Sequence, residues 1–261
     1  MNAHETKRAF TLIELLVVIA IIALLLAILM PSLRKAKAAA MSAVCRAHLH
    51  QWGLAFEMYT SDSNAKYMPG YLNSRRDGKY TWINALRPYY GDSDKIRFCP
   101  RASRTPEEGG RMPLAAWDLK NHSIGLNGGW EYIVEDRGSY GINWWATSGN
   151  EGHGGISDEA KWKRSDVNGR GRIPLLMDCG FFMARPHDTQ LPPATDGSEG
   201  WDPLKANTGM LRIAHDRHNV GVNVLFMDGS AGHVKAKALW DLKWHLDWNF
   251  VQTFEWPPWM R

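Results

Sequence analysis

Residues 7–30 read KRAFTLIELLVVIAIIALLLAILM. Two basic residues, Lys7 and Arg8, precede a run that is apolar from Leu15 to Met30, with Phe10, Leu12 and Ile13 extending it toward the N-terminus. Counted from Phe10 to Met30 the run has 21 residues. As a helix it is about 31 Å long at ~1.5 Å per residue, enough to cross a bilayer core. One carboxylate, Glu14, sits inside it.

Three readings compete for this stretch. A cleaved secretory signal fits the basic start, the apolar core and the small-residue site Ala36-Lys37-Ala38. Glu14 in the core and Arg34, Lys35 and Lys37 around the cleavage site argue against it. A plain membrane anchor leaves the carboxylate unexplained, because a charge within the span costs roughly 2.5–3.5 kcal/mol at the helix centre and less near its end. The third reading accounts for it. Cleavage between Ala9 and Phe10 would create an α-ammonium on Phe10, one helical turn from Glu14. In a stack of identical helices, the carboxylate of one subunit could then meet the amine of the next.

Lys7-Arg8-Ala9-Phe10-Thr11-Leu12-Ile13-Glu14 resembles the N-terminal signal of type IV pilins and type II secretion pseudopilins. That resemblance implies cleavage before Phe10 by a prepilin peptidase, methylation of the Phe10 amine, and assembly through Phe10 and Glu14. The family usually has Gly where this chain has Ala9. The partners it implies are prepilin peptidase, other pilin or pseudopilin subunits, an inner-membrane assembly platform and membrane lipid. The implied location is the inner membrane, single-pass, with the body in the periplasm or on a surface filament. Pro31 closes the apolar run, where its missing N–H and its ring are expected to kink or open the helix.

Beyond Pro31 the sequence still reads as helix to about residue 60. Cys45, Leu49, Trp52, Phe56 and Tyr59 recur at 4-3-4-3 spacing, which places them on one face. A helix over 10–60 would be about 75 Å long. Thr60-Ser61-Asp62-Ser63-Asn64 ends it with turn formers. The rest is broken by Gly, Pro and Asp, as at Met68-Pro69-Gly70 and Gly152-His153-Gly154-Gly155. Ile173–Cys179 and Val220–Met227 are the clearest strands, and 236–250, with Trp240, Trp244 and Trp248 at i, i+4 and i+8, suggests a helix.

The expected fold class is α+β: a long N-terminal α-helix, membrane-spanning in its first half, packed on an antiparallel β-sheet body with long irregular loops. The expected divisions are a leader at 1–9, an assembly helix at 10–31, its continuation at 32–60 and a globular body at 61–261.

His218 and Asp228-Gly229 also match the H-x9-DG signature of a group of prepilin-like proteins. Cys45, the Tyr59–Pro69 turn, Phe98-Cys99-Pro100, Ser139-Tyr140-Gly141-x-Asn143 and Leu175-Leu176-Met177-Asp178 resemble the same group's order of landmarks. The group supplies no biochemical role for the body.

The chemistry of the body is sparse. His215-Asp216-Arg217-His218 followed by Asp228 invites a metal reading, but Val220, Val222, Val224 and Phe226 alternate as a strand. An extended 218–228 segment separates His218 from Asp228 by some 30 Å at ~3.3 Å per residue. Asp228 and Gly229 therefore read as a turn pair and His218 as a structural polar contact. His215 and His218 retain the alternative of sharing a site with a distant carboxylate. Asp62-Ser63-Asn64 is oxygen-rich but lacks the ligand spacing of an EF-hand, so calcium stays open as a ligand with no residues assigned to it, and no other cofactor is expected. No nucleophile elbow or phosphate loop occurs, and the expectation is a non-enzyme.

Three cysteines, Cys45, Cys99 and Cys179, form no C-x-x-C pair. A Cys45–Cys99 disulfide, clipping the first loop of the body to the helix, is the expected use of two of them, against two buried free thiols. Among 13 tryptophans, Trp248, Trp256 and Trp259 are candidates for an exposed stacking cluster. Net charge is only +4, and the Lys161–Arg172 basic stretch reads as a solvated loop, so nucleic acid is not an expected partner. The expected function is a structural subunit of a type II secretion pseudopilus or a type IV pilus-like filament. The alternative is a membrane-tethered envelope binding module that does not polymerise.

Overall fold

A computed structural model describes residues 12–69, 81–91, 93–118, 136–149, 158–196, 209–251 and 254–260. Ala9 and Phe10 lie outside these residues. The chain divides into two compact units, Met1–Ala40 and Met41–Arg261.

Helix α1 runs Leu12–Asp62 and continues through Pro31. Within the first unit it is apolar and exposed from Leu12 to Lys37, apart from Ser32 and the charges at Glu14, Arg34, Lys35 and Lys37. This is a helix long and apolar enough to cross a membrane. Its second part, from Met41, belongs to the other unit and has a buried face of Cys45, Leu49, Trp52, Gly53, Ala55 and Phe56. Tyr59, the last residue of the expected stripe, packs against that core partly buried. The α-helical spacing thus turns one side of the segment inward and leaves Val44, Leu54 and Met58 outside.

The described strands are β1 (Trp117–Asp118), β2 (Arg137–Gly138), β3 (Tyr140–Asn143), β4 (Pro174–Asp178), β5 (Met183–Ala184), β6 (Gly221–Phe226) and β7 (Ala231–Lys235). β1 and β2 form a short antiparallel pair, and the other five form a sheet in the order β5-β3-β4-β6-β7. Its neighbours are antiparallel except β3 and β5, which run parallel. β4 is central, and all five of its residues are buried, which explains its uninterrupted apolar run Pro174-Leu175-Leu176-Met177. Pro174 stands at the first position of the strand, where a missing N–H is tolerated.

β6 and β7 meet in a turn at Asp228-Gly229. Gly229 has φ +83°, a region that favours glycine, and Asp228 Oδ1 accepts hydrogen bonds from Ser230 N at 2.9 Å and Ser230 Oγ at 2.6 Å. A second helix, α2 (Trp82–Tyr90), starts at an N-cap in which Thr81 accepts from Asn84 N, and stops at Gly91 with φ +65°. Its Trp82 packs edge-on against Trp52 of α1, with ring centroids 5.0 Å apart.

The helix expected over 236–250 is not formed. A 3₁₀ segment covers Ala236–Asp241, and the chain beyond it is irregular. Its amides serve other parts of the fold: Lys243 N donates to Arg172 O at 3.1 Å and Leu246 N to Ala160 O at 3.0 Å. Trp240 and Trp244 are buried, each indole N–H bonded to a backbone carbonyl, of Gln190 and Leu239 respectively.

Candidate functional site

Among the described residues, two places carry chemistry that packing alone does not explain. The first is the N-terminal part of α1. Glu14 lies exposed in the helix's first turn, and Leu15, Leu16, Val17, Val18 and Ile19 beyond it are also exposed. A continuous apolar surface of this size marks a membrane or partner-binding surface.

The second is a buried polar cluster where α1 meets the sheet. Tyr140 of β3 pairs with Asp178 of β4, and the β4–β6 register, in which Met177 pairs with Val224, brings Asn223 alongside Asp178. These three polar residues form a row across adjacent strands, under the turn of α1 that holds Ser42 and Cys45. Ser42 bonds the Asn223 side chain at 3.2 Å. Cys45 Sγ is 3.5 Å from Asp178 Oδ1 and 3.8 Å from Oδ2, and Tyr140 donates its hydroxyl to Cys45 at 3.3 Å.

Two loops complete the cluster. Cys99 follows a 3₁₀ turn, Asp94–Arg97, and its N–H donates to Ser139 Oγ at 2.5 Å. The 213–220 loop carries Arg217 and His218. It is shaped by Asp216, whose carboxylate accepts Val220 N at 2.6 Å where Asn219 and Val220 have φ of +55° and +51°. His218 Nε2 lies 3.2 Å from Cys99 Sγ and 3.4 Å from Asp178 Oδ2. The Asp178 carboxylate also accepts Asn223 N at 2.7 Å and faces Arg217 Nη1 at 3.3 Å.

Arg217 spends its remaining donors on the carbonyls of Pro113, Ala115, Ser139 and Cys179. Cys45, Cys99, Asp178 and Arg217 have no exposed surface, and His218 is 3% exposed.

Burial pushes the Cys45 thiol well above its ordinary value, and its hydrogen bond to Cys99 and the nearby Asp178 charge add to the rise. Burial acts the same way on Cys99. Hydrogen bonds from Cys45 and His218, with the Arg217 charge, outweigh it and bring Cys99 down to about 6. One thiol thus holds its proton while the other sheds its own easily.

The expected Cys45–Cys99 disulfide is not formed. All three cysteines are free and buried. The two sulfurs do share one cluster, but each has a separate polar anchor, Asp178 and Tyr140 for Cys45 and His218 for Cys99. The loop around Cys99 is tied to the helix by other means. His48 Nδ1 meets Phe98 O at 3.1 Å, and Trp52 Nε1 donates to Ile96 O at 2.8 Å.

His218 and Asp228 stand at opposite ends of β6, as the strand reading requires. The partner of His218 is instead the distant carboxylate of Asp178, while His215 is stacked on Trp240 at 5.8 Å. Asp178, Tyr140 and Arg217 were not singled out by sequence spacing. The available clue was a carboxylate ending an otherwise apolar strand, Leu175-Leu176-Met177-Asp178.

The other candidates are absorbed by packing. Asp62 accepts the Tyr89 hydroxyl at 3.0 Å. Trp248, Trp256 and Trp259 are partly buried against the core rather than forming an exposed cluster. Lys161 is buried and bonded to Gly149 O, and Arg164 is paired with Asp166 at 2.5 Å, so the basic stretch presents no continuous charged groove. A cleft of about 730 Å³ is lined by Trp162, Asp166, Arg172, Asp241, Lys243 and Trp248, among others.

Comparison with known proteins bears on the first of the two places. Residues 6–30 match the family model described as the prokaryotic N-terminal methylation motif. The chain is 48% identical over 61 residues to the type IV wide pilus major component PilA4 of Thermus thermophilus. The N-terminal segment is type IV pilin-like. The match covers 23% of this chain and 47% of that protein, so the chain spans about half the length of the curated relative it matches. No solved structure matches the chain. The family-model match covers the apolar helix with Glu14.

Proposed function

We propose that this protein is a structural pilin-like subunit, anchored in the inner membrane and polymerised through its N-terminal helix into a filament. A prepilin peptidase would cut between Ala9 and Phe10 and methylate the new amine. Glu14 would pair with that amine on a neighbouring subunit at an assembly platform, with the body in the periplasm or on the filament surface. The filament is a type IV pilus-like fibre or a type II secretion pseudopilus. The observation that carries the reading is a carboxylate at the start of an exposed, uninterrupted apolar helix that matches the methylation motif. A helical stack would offer that charge the amine of a neighbouring subunit as a partner.

The test is electron microscopy of cells expressing wild type and Glu14→Ala, together with the N-terminal mass of the mature protein. Filaments lost in the variant, with a mature chain starting at N-methyl-Phe10, support the proposal. Equal filaments in both, or a mature start at Ala39, refute it. A second reading, a tethered module holding an envelope polysaccharide, draws on the tryptophan-lined cleft. It predicts glycan binding by a chain that makes no filaments.

A further inference from the structure

We infer that Cys45, Cys99, Asp178 and His218 form a closed tetrahedral zinc site that fastens α1 and two loops to the centre of the sheet. Among the described residues this is a group of four donor side chains whose ligand atoms all lie within 4.8 Å of one another. The donors come from positions far apart in sequence and from four separate parts of the fold: helix, 3₁₀ loop, central strand and the 213–220 loop.

Three of the six ligand–ligand edges are close to those of a coordination shell, and all six lie within 4.8 Å. Zinc with bonds of about 2.3 Å to sulfur and about 2.0 Å to nitrogen or oxygen requires ligand–ligand edges of roughly 3.3–3.8 Å. The measured edges are 3.2 Å from Cys99 Sγ to His218 Nε2 and 3.4 Å from His218 Nε2 to Asp178 Oδ2. Cys45 Sγ lies 3.5 and 3.8 Å from the two Asp178 oxygens. The donor set, two sulfurs with one imidazole and one carboxylate, suits zinc and is wrong for calcium, which takes six or more oxygens.

Charge is balanced as well. Two thiolates and one carboxylate on a dication leave a single negative charge, and the fully buried Arg217 guanidinium beside Asp178 cancels it. Outer partners orient two of the four ligands, the Tyr140 hydroxyl on Cys45 and Asn223 N–H and Arg217 on Asp178, while His218 Nδ1 has no hydrogen-bond partner among the described residues. With four protein ligands and full burial, the site has the closed form of a structural ion rather than a catalytic one.

The test uses the full-length chain in detergent, reduced, stripped of metal and then loaded with Zn²⁺ or Co²⁺. Wild type should hold one zinc per chain, resist displacement by Ca²⁺, and with Co²⁺ show thiolate charge-transfer bands and the intense visible bands of tetrahedral coordination. Cys99→Ser and His218→Gln should each weaken zinc by more than the roughly 10–100-fold that an outer partner is worth. Cys179→Ser, which removes the buried thiol outside the cluster, should retain it. No metal uptake by folded, reduced wild type would overturn the inference without reference to any variant. So would uptake unchanged in Cys99→Ser, or a Cys45–Cys99 linked peptide in the protein isolated from cells.

Discussion

Arg217 Nη1 lies 3.3 Å from Asp178 Oδ1 at the centre of the body, and neither side chain has exposed surface. The pair is enclosed by α1, by the ends of β3 and β4 and by the 113–115 segment, so removal of either charge strands the other in a low-dielectric interior. Arg217→Met leaves Asp178 without its cation and removes donors from the carbonyls of Pro113, Ala115 and Cys179. The expected cost is about 3–5 kcal/mol. Urea unfolding of the full-length chain in detergent, followed by tryptophan fluorescence, measures it. A loss below about 1 kcal/mol, the scale of an exposed pair, would mean that the cluster is hydrated.

Gly141 sits in β3 with no room for a methyl group. A Cβ there would fall 2.5 Å from Phe181 O and 2.8 Å from Cys179 Sγ. The carbonyl is backbone and cannot swing aside, so β3 must shift away from its neighbours. Gly141→Ala should cost roughly 1–3 kcal/mol. Because Tyr140 adjoins it and donates to Cys45, the thiols should also react faster with an alkylating reagent. Unchanged stability and unchanged alkylation would show that the strand yields without strain.

These contacts mark where sequence and structure part company. The inward face of α1 was legible because Cys45, Leu49, Trp52 and Phe56 follow the helical period, and β4 and β6 were legible as a buried run and an alternating one. Trp240, Trp244 and Trp248 recur at a helix-compatible 4-4 spacing, yet the amides of Lys243 and Leu246 between them go to Arg172 and Ala160, and the segment is irregular. Spacing reports a face only when the segment forms its own hydrogen bonds. The thiol cluster was half legible. Each component lay in a noticed stretch, but the H-x9-DG signature linked His218 to Asp228, whereas the fold sets it beside Asp178. Convergence of residues 45, 99, 178 and 218 is set by the order β3-β4-β6, which no local pattern encodes.

Asp228 provides a contrast with the other end of the same signature. Its carboxylate bonds Ser230 in a surface turn; some burial raises it, but these hydrogen bonds, its own backbone N–H and the Arg170 charge outweigh that and hold it below its ordinary value. Asp228→Ala should cost about 1 kcal/mol, the scale of a lost local cap. It should leave the reactivity of Cys45 and Cys99 untouched. His218→Gln should instead alter thiol reactivity. Parallel effects of the two substitutions on the thiols would mean that the turn and the cluster are one unit.

His215 sets the acid limit of the body. Burial against Trp240 pushes its imidazole down to about 4, while in the unfolded chain it titrates near 6.5. Between those values the unfolded chain takes up a proton that the folded chain refuses. The associated stability is therefore complete above about pH 6.5 and is lost as pH falls toward 4, by up to about 3 kcal/mol. His187 and His245 are also held down by burial and contribute in the same direction. They persist in His215→Phe, which keeps a ring against Trp240, so the difference between the two proteins isolates His215. Urea midpoints at pH 7 and pH 4.5 should show wild type losing roughly 2–3 kcal/mol more than the variant. A gap between the two that does not change with pH would place the His215 proton in both states, and burial would then not be what controls it.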